Sequence, residues 1–419
     1  MKDIFGFLNS AKTALHAVKE ISDALLLKGY IRLYEDEEWN LTEGGKYYVI
    51  RGGTSIIAFV NNGGGFMITA AHSDSPAFKV KGDLLQGEYL KLDTEKYGGM
   101  INYTWFDRPL TVAGRISYRD NGGIRTVLTD IGDKRVVIPS LAIHMNRNVN
   151  ENCKFNPAQD LLPLAALGMP KGALLSLAAK NLGISEESII SHDLYLVSAD
   201  EATKVGLNDE LLLAPRIDDL AAVYTALSAF LKAKDCEATP VLAVFDNEEV
   251  GSSTKQGAGS TFLYDVLMRI SSGNTDFIRR LSSSFMISAD NAHAIHPNHP
   301  EMADRANAPT LGGGIVVKYN ANQRYTTDSI SDAVFREICK EADVKVQSYY
   351  NRADLPGGST LGSISNTVVS VPTIDIGIPQ LAMHSANETC AIADIEAMEK
   401  ALTLFFTKKV LFRGEYIEF

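Results

Sequence analysis

Hydrophobic positions recur along this chain with two different periods, and the change from one to the other divides it. Over 10–27 the apolar residues Leu15, Val18, Ile21, Leu25 and Leu26 fall at helical spacing, and Gly29 is placed to end the helix. Strand-like runs follow over 46–51, 54–60 and 66–71, bounded by Gly52-Gly53 and Gly63-Gly64-Gly65. From about 83 to 200 the texture changes. Short β-like runs over 110–118, 126–129, 136–141 and 193–197 surround one predicted helix over 172–182. Beyond that, helical patterns over 218–234, 261–270, 277–281, 329–342 and 393–409 alternate with strand patterns over 240–245, 285–288, 314–318 and 367–376. The run over 240–245 is apolar at every position, as expected of a strand buried on both faces. Such alternation implies an α/β fold, with helices covering both faces of a mixed sheet. The predicted organisation is a discontinuous α/β domain over 1–82 and 202–419, with a β-rich module over 83–201 inserted into it.

Charge narrows the function classes. The 419 residues carry 40 Lys and Arg against 51 Asp and Glu, a formal charge of −11. That balance argues against nucleic acid and anionic membrane as partners, since both need a basic footprint. Cys153, Cys236, Cys339 and Cys390 lie far apart in sequence, without a CxxC pair, and read as reduced thiols. The first residues lack the pattern of a secretory signal, and no stretch has the length of a membrane span. A soluble, cytoplasmic chain is the expectation.

The acids gain meaning from where they fall. Apolar runs that read as strands end in His72-Ser73-Asp74, in Asp246-Asn247-Glu248-Glu249, in Asp290-Asn291-Ala292-His293 and in Leu381-Ala382-Met383-His384. Arg216-Ile217-Asp218-Asp219 opens a helix. Sites in open α/β sheets form at the carboxyl ends of strands. Carboxylates crowded there repel unless a cation neutralises them, so the conjunction predicts a metal site. His72 is a candidate ligand, with Asp74 two residues on as the acceptor that fixes its other ring nitrogen. Glu248 and Glu249 invite a division in which one ligates and the other takes a proton from water. Two divalent ions set against Asp218, Glu249 and Asp290 would leave positive charge for a hydroxide or a developing oxyanion.

The strings AAHSDSP, FDNEEVGS, ISADNAHAIHPN and DIGIPQLAMHS, together with LAIHMNRNVNEN, KYNANQRY and GGSTLG, resemble the M18 metallo-aminopeptidases, the aspartyl aminopeptidase family. The likeness runs through nearly the whole chain. It implies two divalent ions per subunit, zinc before manganese or cobalt. Their ligands would be His72, Asp218, Glu249, Asp290 and His384, with Asp218 bridging. It gives Glu248 the role of general base and Asp74 that of supporting acid. It places Lys318, Tyr325 and His144 at the substrate. Lys318 would face an acidic N-terminal side chain, Tyr325 would donate to the scissile carbonyl, and His144 would reach a neighbouring subunit's site. The expected substrates are peptides with a free N-terminus, and the expected assembly is a tetrahedral dodecamer of this chain. Rival readings are a related amidohydrolase or glutamyl aminopeptidase-like enzyme, and a non-catalytic assembly protein. Three places depart from the family pattern, the first being the stretch 10–16, which carries no proline where the family usually has them. Asp219 stands where Asn is common, and the loop after His299 lacks further histidines. His293, His296 and His299 lie on a Pro-rich loop and are set aside as ligands, and His16 is read as structural.

Overall fold

A computed structural model describes residues 1–151 and 153–419. Its centre is a nine-stranded mixed sheet in the order Ile31–Leu33, Lys46–Arg51, Ser55–Val60, Thr239–Phe245, Phe66–His72, Phe285–Ala289, Thr373–Gly377, Ile315–Tyr319, Val346–Tyr350. Four adjacent strands, Thr239–Phe245 through Thr373–Gly377, run parallel. They are buried along their whole length. The alternation of a pleated strand explains how both faces are filled. In Phe66–His72, Met67 and Ala71 pack into one core with the helices Ile217–Lys232, Ser329–Glu341 and Ile392–Thr407. Phe66, Ile68 and Ala70 pack into the other with Phe262–Ile270 and Asn274–Leu281. The fold is therefore three-layered α/β/α, as the alternation of patterns predicts.

The middle of the chain forms a separate six-stranded antiparallel sheet: Gly123–Asp130, Leu110–Asp120, Ile189–Ser198, Ala77–Gln86, Tyr89–Tyr97 and Leu164–Leu167. Its own core gathers Phe78, Val80, Leu92, Trp105, Val112, Leu194 and Leu196. The strand Ala77–Gln86 runs without interruption across the predicted junction at 82 and 83. A third sheet, of five short strands, ends in Glu388–Ala391, Pro379–Leu381 and Ala292–His293.

Several elements differ from the pattern-based reading. The helix expected over 10–27 starts only at Ala14, after Thr13 in extended conformation, and a further helix, Ile4–Ser10, capped by Asp3, precedes it. The expected strand over 136–141 reduces to isolated bridges at Val136, Val137 and Ile138. Of the expected strand over 367–376 only 373–376 is extended in the sheet, as part of Thr373–Gly377. Turns precede it, and Pro372 can stand only at a strand's start. The helix Ile217–Lys232 is not regular at its start, since Asp218 and Asp219 have non-helical dihedrals.

Candidate metal centre

The three loops that leave the carboxyl ends of Phe66–His72, Thr239–Phe245 and Phe285–Ala289 converge with the start of the helix Ile217–Lys232 and the turn at His384. Two groups of side chains result. Atoms of His72, Asp218, Asp219 and Asp290 all lie within 4.8 Å of one another, and so do atoms of Asp218, Glu249 and His384. Asp218 belongs to both. One of its oxygens, Oδ1, lies 3.4 Å from His72 Nε2, and the other, Oδ2, lies 3.3 Å from His384 Nε2. Glu249 Oε1 is 3.5 Å from the same His384 nitrogen.

The far side of each imidazole is held by backbone. His72 Nδ1 lies 3.0 Å from the carbonyl oxygen of Asp74, closer than the Asp74 carboxylate at 3.4 Å. His384 Nδ1 lies 2.6 Å from the carbonyl oxygen of Gly99. Each ring thus turns Nε2 toward Asp218, the orientation that a ligating histidine requires. The sequence reading gave the Asp74 carboxylate the task of holding His72, but its stronger contacts are elsewhere. Its Oδ1 accepts from the Glu248 N–H and its Oδ2 from the Glu249 N–H, both at 3.1 Å. Tyr97 donates its hydroxyl to Oδ2 at 2.6 Å. Asp74 is the brace for the turn that presents both glutamates. Asn247 permits that turn by taking a left-handed conformation, φ 64°.

The electrostatics fit cations. Asp218 Oδ1, Asp219 Oδ1 and Glu249 Oε1 are buried without a hydrogen-bond partner. Buried carboxylate oxygens left this way are costly unless something positive meets them. Protonation shows the same demand. Burial pushes Glu249 and Asp219 well above the usual carboxylate range, and nearby acids add to it. Burial lowers the His72 pKa, but Asp219, Asp218 and Asp74 outweigh it, so the ring holds a proton well above the usual range. Burial also opposes charge on His384, yet Asp218 and Glu249 raise it to about 10. Burial, with Asp290, Asp218 and Asp74 against the pull of His72, brings Glu248 to about 7. A nitrogen-and-oxygen donor set of this kind suits zinc, and manganese or cobalt as well.

The remaining candidates fall in different places. Lys318 is buried, 3.7 Å from Asp290 Oδ2, and donates to the Asn291 carbonyl. Tyr325 is buried beside it, with Lys318 Nζ 5.3 Å from the ring centre. Burial raises the Tyr325 pKa, so the hydroxyl keeps its proton. His144 is exposed on a loop of the middle segment and is not among the residues gathered at the centre. His296 and His299 lie side by side at the surface, their rings tilted by 37°, and join neither ligand group. His16 is bonded to Thr13 Oγ1 at 2.9 Å, away from the ligand groups. The sequence reading missed Asp219 as a member of the first group. Its Oδ2 accepts from the His72 N–H at 3.1 Å. It also missed Glu388, which accepts from the N–H groups of Asp218 and His384.

Comparison with known proteins agrees with the residues. The profile of the family described as aminopeptidase I zinc metalloprotease (M18) matches residues 7–406. A probable M18 family aminopeptidase 2 from Clostridium acetobutylicum is 42% identical over 423 residues, covering 97% of this chain and 98% of that protein. Among solved structures, that of an Ape4 and Nbr1 complex superposes with a TM-score of 0.94 at 34% identity, covering 97% of this chain and 85% of the other. The S. cerevisiae mApe1 dodecamer gives a TM-score of 0.85 at 27% identity, covering 96% and 95%.

Proposed function

Because the chain belongs to the M18 family of metallo-aminopeptidases, we propose that it releases single residues from the free N-terminus of peptides at a centre of two divalent ions. The observation that carries the dinuclear reading is Asp218, which turns one carboxylate oxygen to each imidazole and is common to both ligand groups. His72 and Asp290 would hold one ion, Glu249 and His384 the other, and Asp218 both. When bound, such ions supply Lewis acidity toward a carbonyl oxygen and make water a stronger acid.

The protein's own groups do the rest. Glu248 sits on the turn braced by Asp74, beside Glu249. Burial raises the Glu248 carboxyl above the usual carboxylate range, and from that turn it can take a proton from the attacking water and return it to the leaving amine. The Tyr325 hydroxyl, which keeps its proton, is the donor for the scissile carbonyl oxygen. Lys318 underlies the preference for acidic N-terminal residues. Asp290 is the single carboxylate within 4 Å of it among the described residues. With Asp290 engaged by a cation, the Lys318 charge is left to meet a substrate carboxylate.

The middle sheet and its loops are the unit that builds subunit contacts. Leu141, Ile143 and Met145 flank His144 and are 63%, 48% and 77% exposed. A cluster of apolar side chains this open marks a protein contact. It supports a closed dodecamer with His144 entering the next subunit's site, and the S. cerevisiae neighbour is itself a dodecamer. No helix among the described residues is long and apolar enough to cross a membrane.

The test is a panel of aminoacyl-anilides carrying Asp, Glu, Leu, Ala or Lys, with free and blocked amines, assayed after loading with zinc, manganese or cobalt. Cleavage confined to free amines, fastest for Asp and Glu, is expected. A preference for Leu or Lys would remove the role given to Lys318, and cleavage of blocked substrates would point to a deacylase.

A further inference from the structure

We propose that Glu388 is a positioning residue of the metal centre, a single buried carboxylate that sets the spacing between Asp218 and His384. The inference rests on the ligand assignment above. Glu388 is 1% exposed. Its Oε2 accepts from the Asp218 N–H at 2.8 Å, and its Oε1 accepts from the His384 N–H at 2.7 Å. Two residues 166 positions apart in sequence, 384 − 218, are thereby tied to one side chain.

The chemistry explains why this residue is an acid. Two N–H groups converge on it, and only a carboxylate offers an acceptor oxygen to each from one side chain. A glutamine would satisfy one N–H and turn its amide donors against the other. Glu388 also has no Lys, Arg or His partner within 4 Å among the described residues. A buried carboxylate without an ion pair is a poor device for stability alone.

The tie extends under the first ligand group. Gln380 Nε2 reaches Glu388 Oε1 at 3.4 Å, and Gln380 Oε1 accepts from Asn291 Nδ2 at 2.9 Å. Asn291, next to Asp290, donates the same amide to the Ile217 carbonyl at 2.7 Å. The loops that carry Asp290, Asp218 and His384 therefore share one polar floor with Glu388 at its centre.

The experiment compares wild type, Glu388→Gln and Glu388→Asp after chelator treatment. Zinc affinity is read by competition with a chromophoric chelator, and Tm is measured with and without zinc. Folded Glu388→Gln should bind zinc 10–100-fold more weakly, the range for losing a group that orients a ligand. Its zinc-induced rise in Tm should shrink. Glu388→Asp keeps the charge but is one methylene too short to reach both N–H groups, and should also bind zinc more weakly. If Glu388→Gln does not fold, Glu388→Asp carries the test. Wild-type zinc affinity in a folded variant, even with a lower Tm in both conditions, would overturn the inference and leave the ligand assignment standing. Wild type that takes up no zinc, manganese or cobalt would overturn both.

Discussion

Glu248 and Glu249 are chemically alike and adjacent, so their different tasks must come from surroundings. Glu249 points its Oε1 at His384 Nε2, and Glu248 is a member of neither ligand group. Glu248→Gln should therefore keep the bound metal and lose about 10³-fold in kcat. Metal content by elemental analysis beside steady-state rates checks this, and near-normal turnover would remove Glu248 as the base. A second residue gives a prediction about stability. Burial, with Lys12 adding to it, lowers the His16 pKa to about 4 from 6.5. A depressed histidine pKa means that the unfolded chain binds the proton first. The contribution of the neutral, buried ring is complete above pH 6.5, falls as pH drops from 6.5 toward 4, and falls no further below that. Over the whole window the loss is about 3 kcal/mol, and about 2 kcal/mol of it is lost by pH 5. His16→Gln lacks this titration. The stability difference between wild type and variant, from urea unfolding at pH 7 and pH 5, should move by that amount in favour of the variant at pH 5. A constant difference would show that His16 titrates alike in both states.

At the scale of elements, the strand Tyr89–Tyr97 reaches from the middle sheet into the centre. Its last residue donates to Asp74 and accepts from Asn247 Nδ2 at 2.9 Å. Just beyond, the Gly99 carbonyl holds the His384 ring, and the Ile101 N–H donates to the His384 carbonyl at 3.0 Å. Tyr97→Phe removes one donor from Asp74 and loosens the turn that carries Glu248 and Glu249. A fall in kcat of about 10-fold is expected, with an unfolding cost of about 1–2 kcal/mol. Unchanged kcat in a destabilised variant would mean that the contact serves folding only. This element also shows what the sequence could and could not tell. The alternation of Leu90, Leu92 and Thr94 with Lys91, Asp93 and Glu95 is a strand pattern present in the chain and overlooked amid charges. The parallel strands were legible because burial on both faces makes them largely apolar, and the pattern marked His72, Asp218, Asp290, His384 and the Glu248–Glu249 pair because each follows such a run or opens a helix, while the choice of Glu249 over Glu248 as ligand rested on the family resemblance. Tyr97, Gly99 and Glu388 had no such signal. Each acts on a residue more than twenty positions away or on backbone N–H groups, through contacts that exist only after the sheets meet.

For the whole molecule, the question is whether a subunit is complete by itself. Every group gathered at the centre belongs to one chain, and His144, the substrate candidate outside it, stands exposed among Leu141, Ile143 and Met145. Closed symmetry makes such an interface recur at every copy, so each site would borrow the histidine of a neighbour. The arrangement has a consequence that a self-sufficient subunit cannot imitate. His144→Ala spoils the neighbour's site and leaves its own Glu248 intact, while Glu248→Gln spoils its own site and still lends His144. Homogeneous preparations of either variant should have little activity. Dissociated, mixed in equal amounts and reassembled, the two should regain activity, because a site is whole when an alanine-variant subunit sits beside a glutamine-variant one. Random assembly makes that pairing at roughly a quarter of the sites. Recovery near that fraction of the wild-type rate, with light scattering showing assembly restored, is the expected result. Mixtures no more active than the average of their parts would confine His144 to its own subunit, and the site would then be complete without assembly.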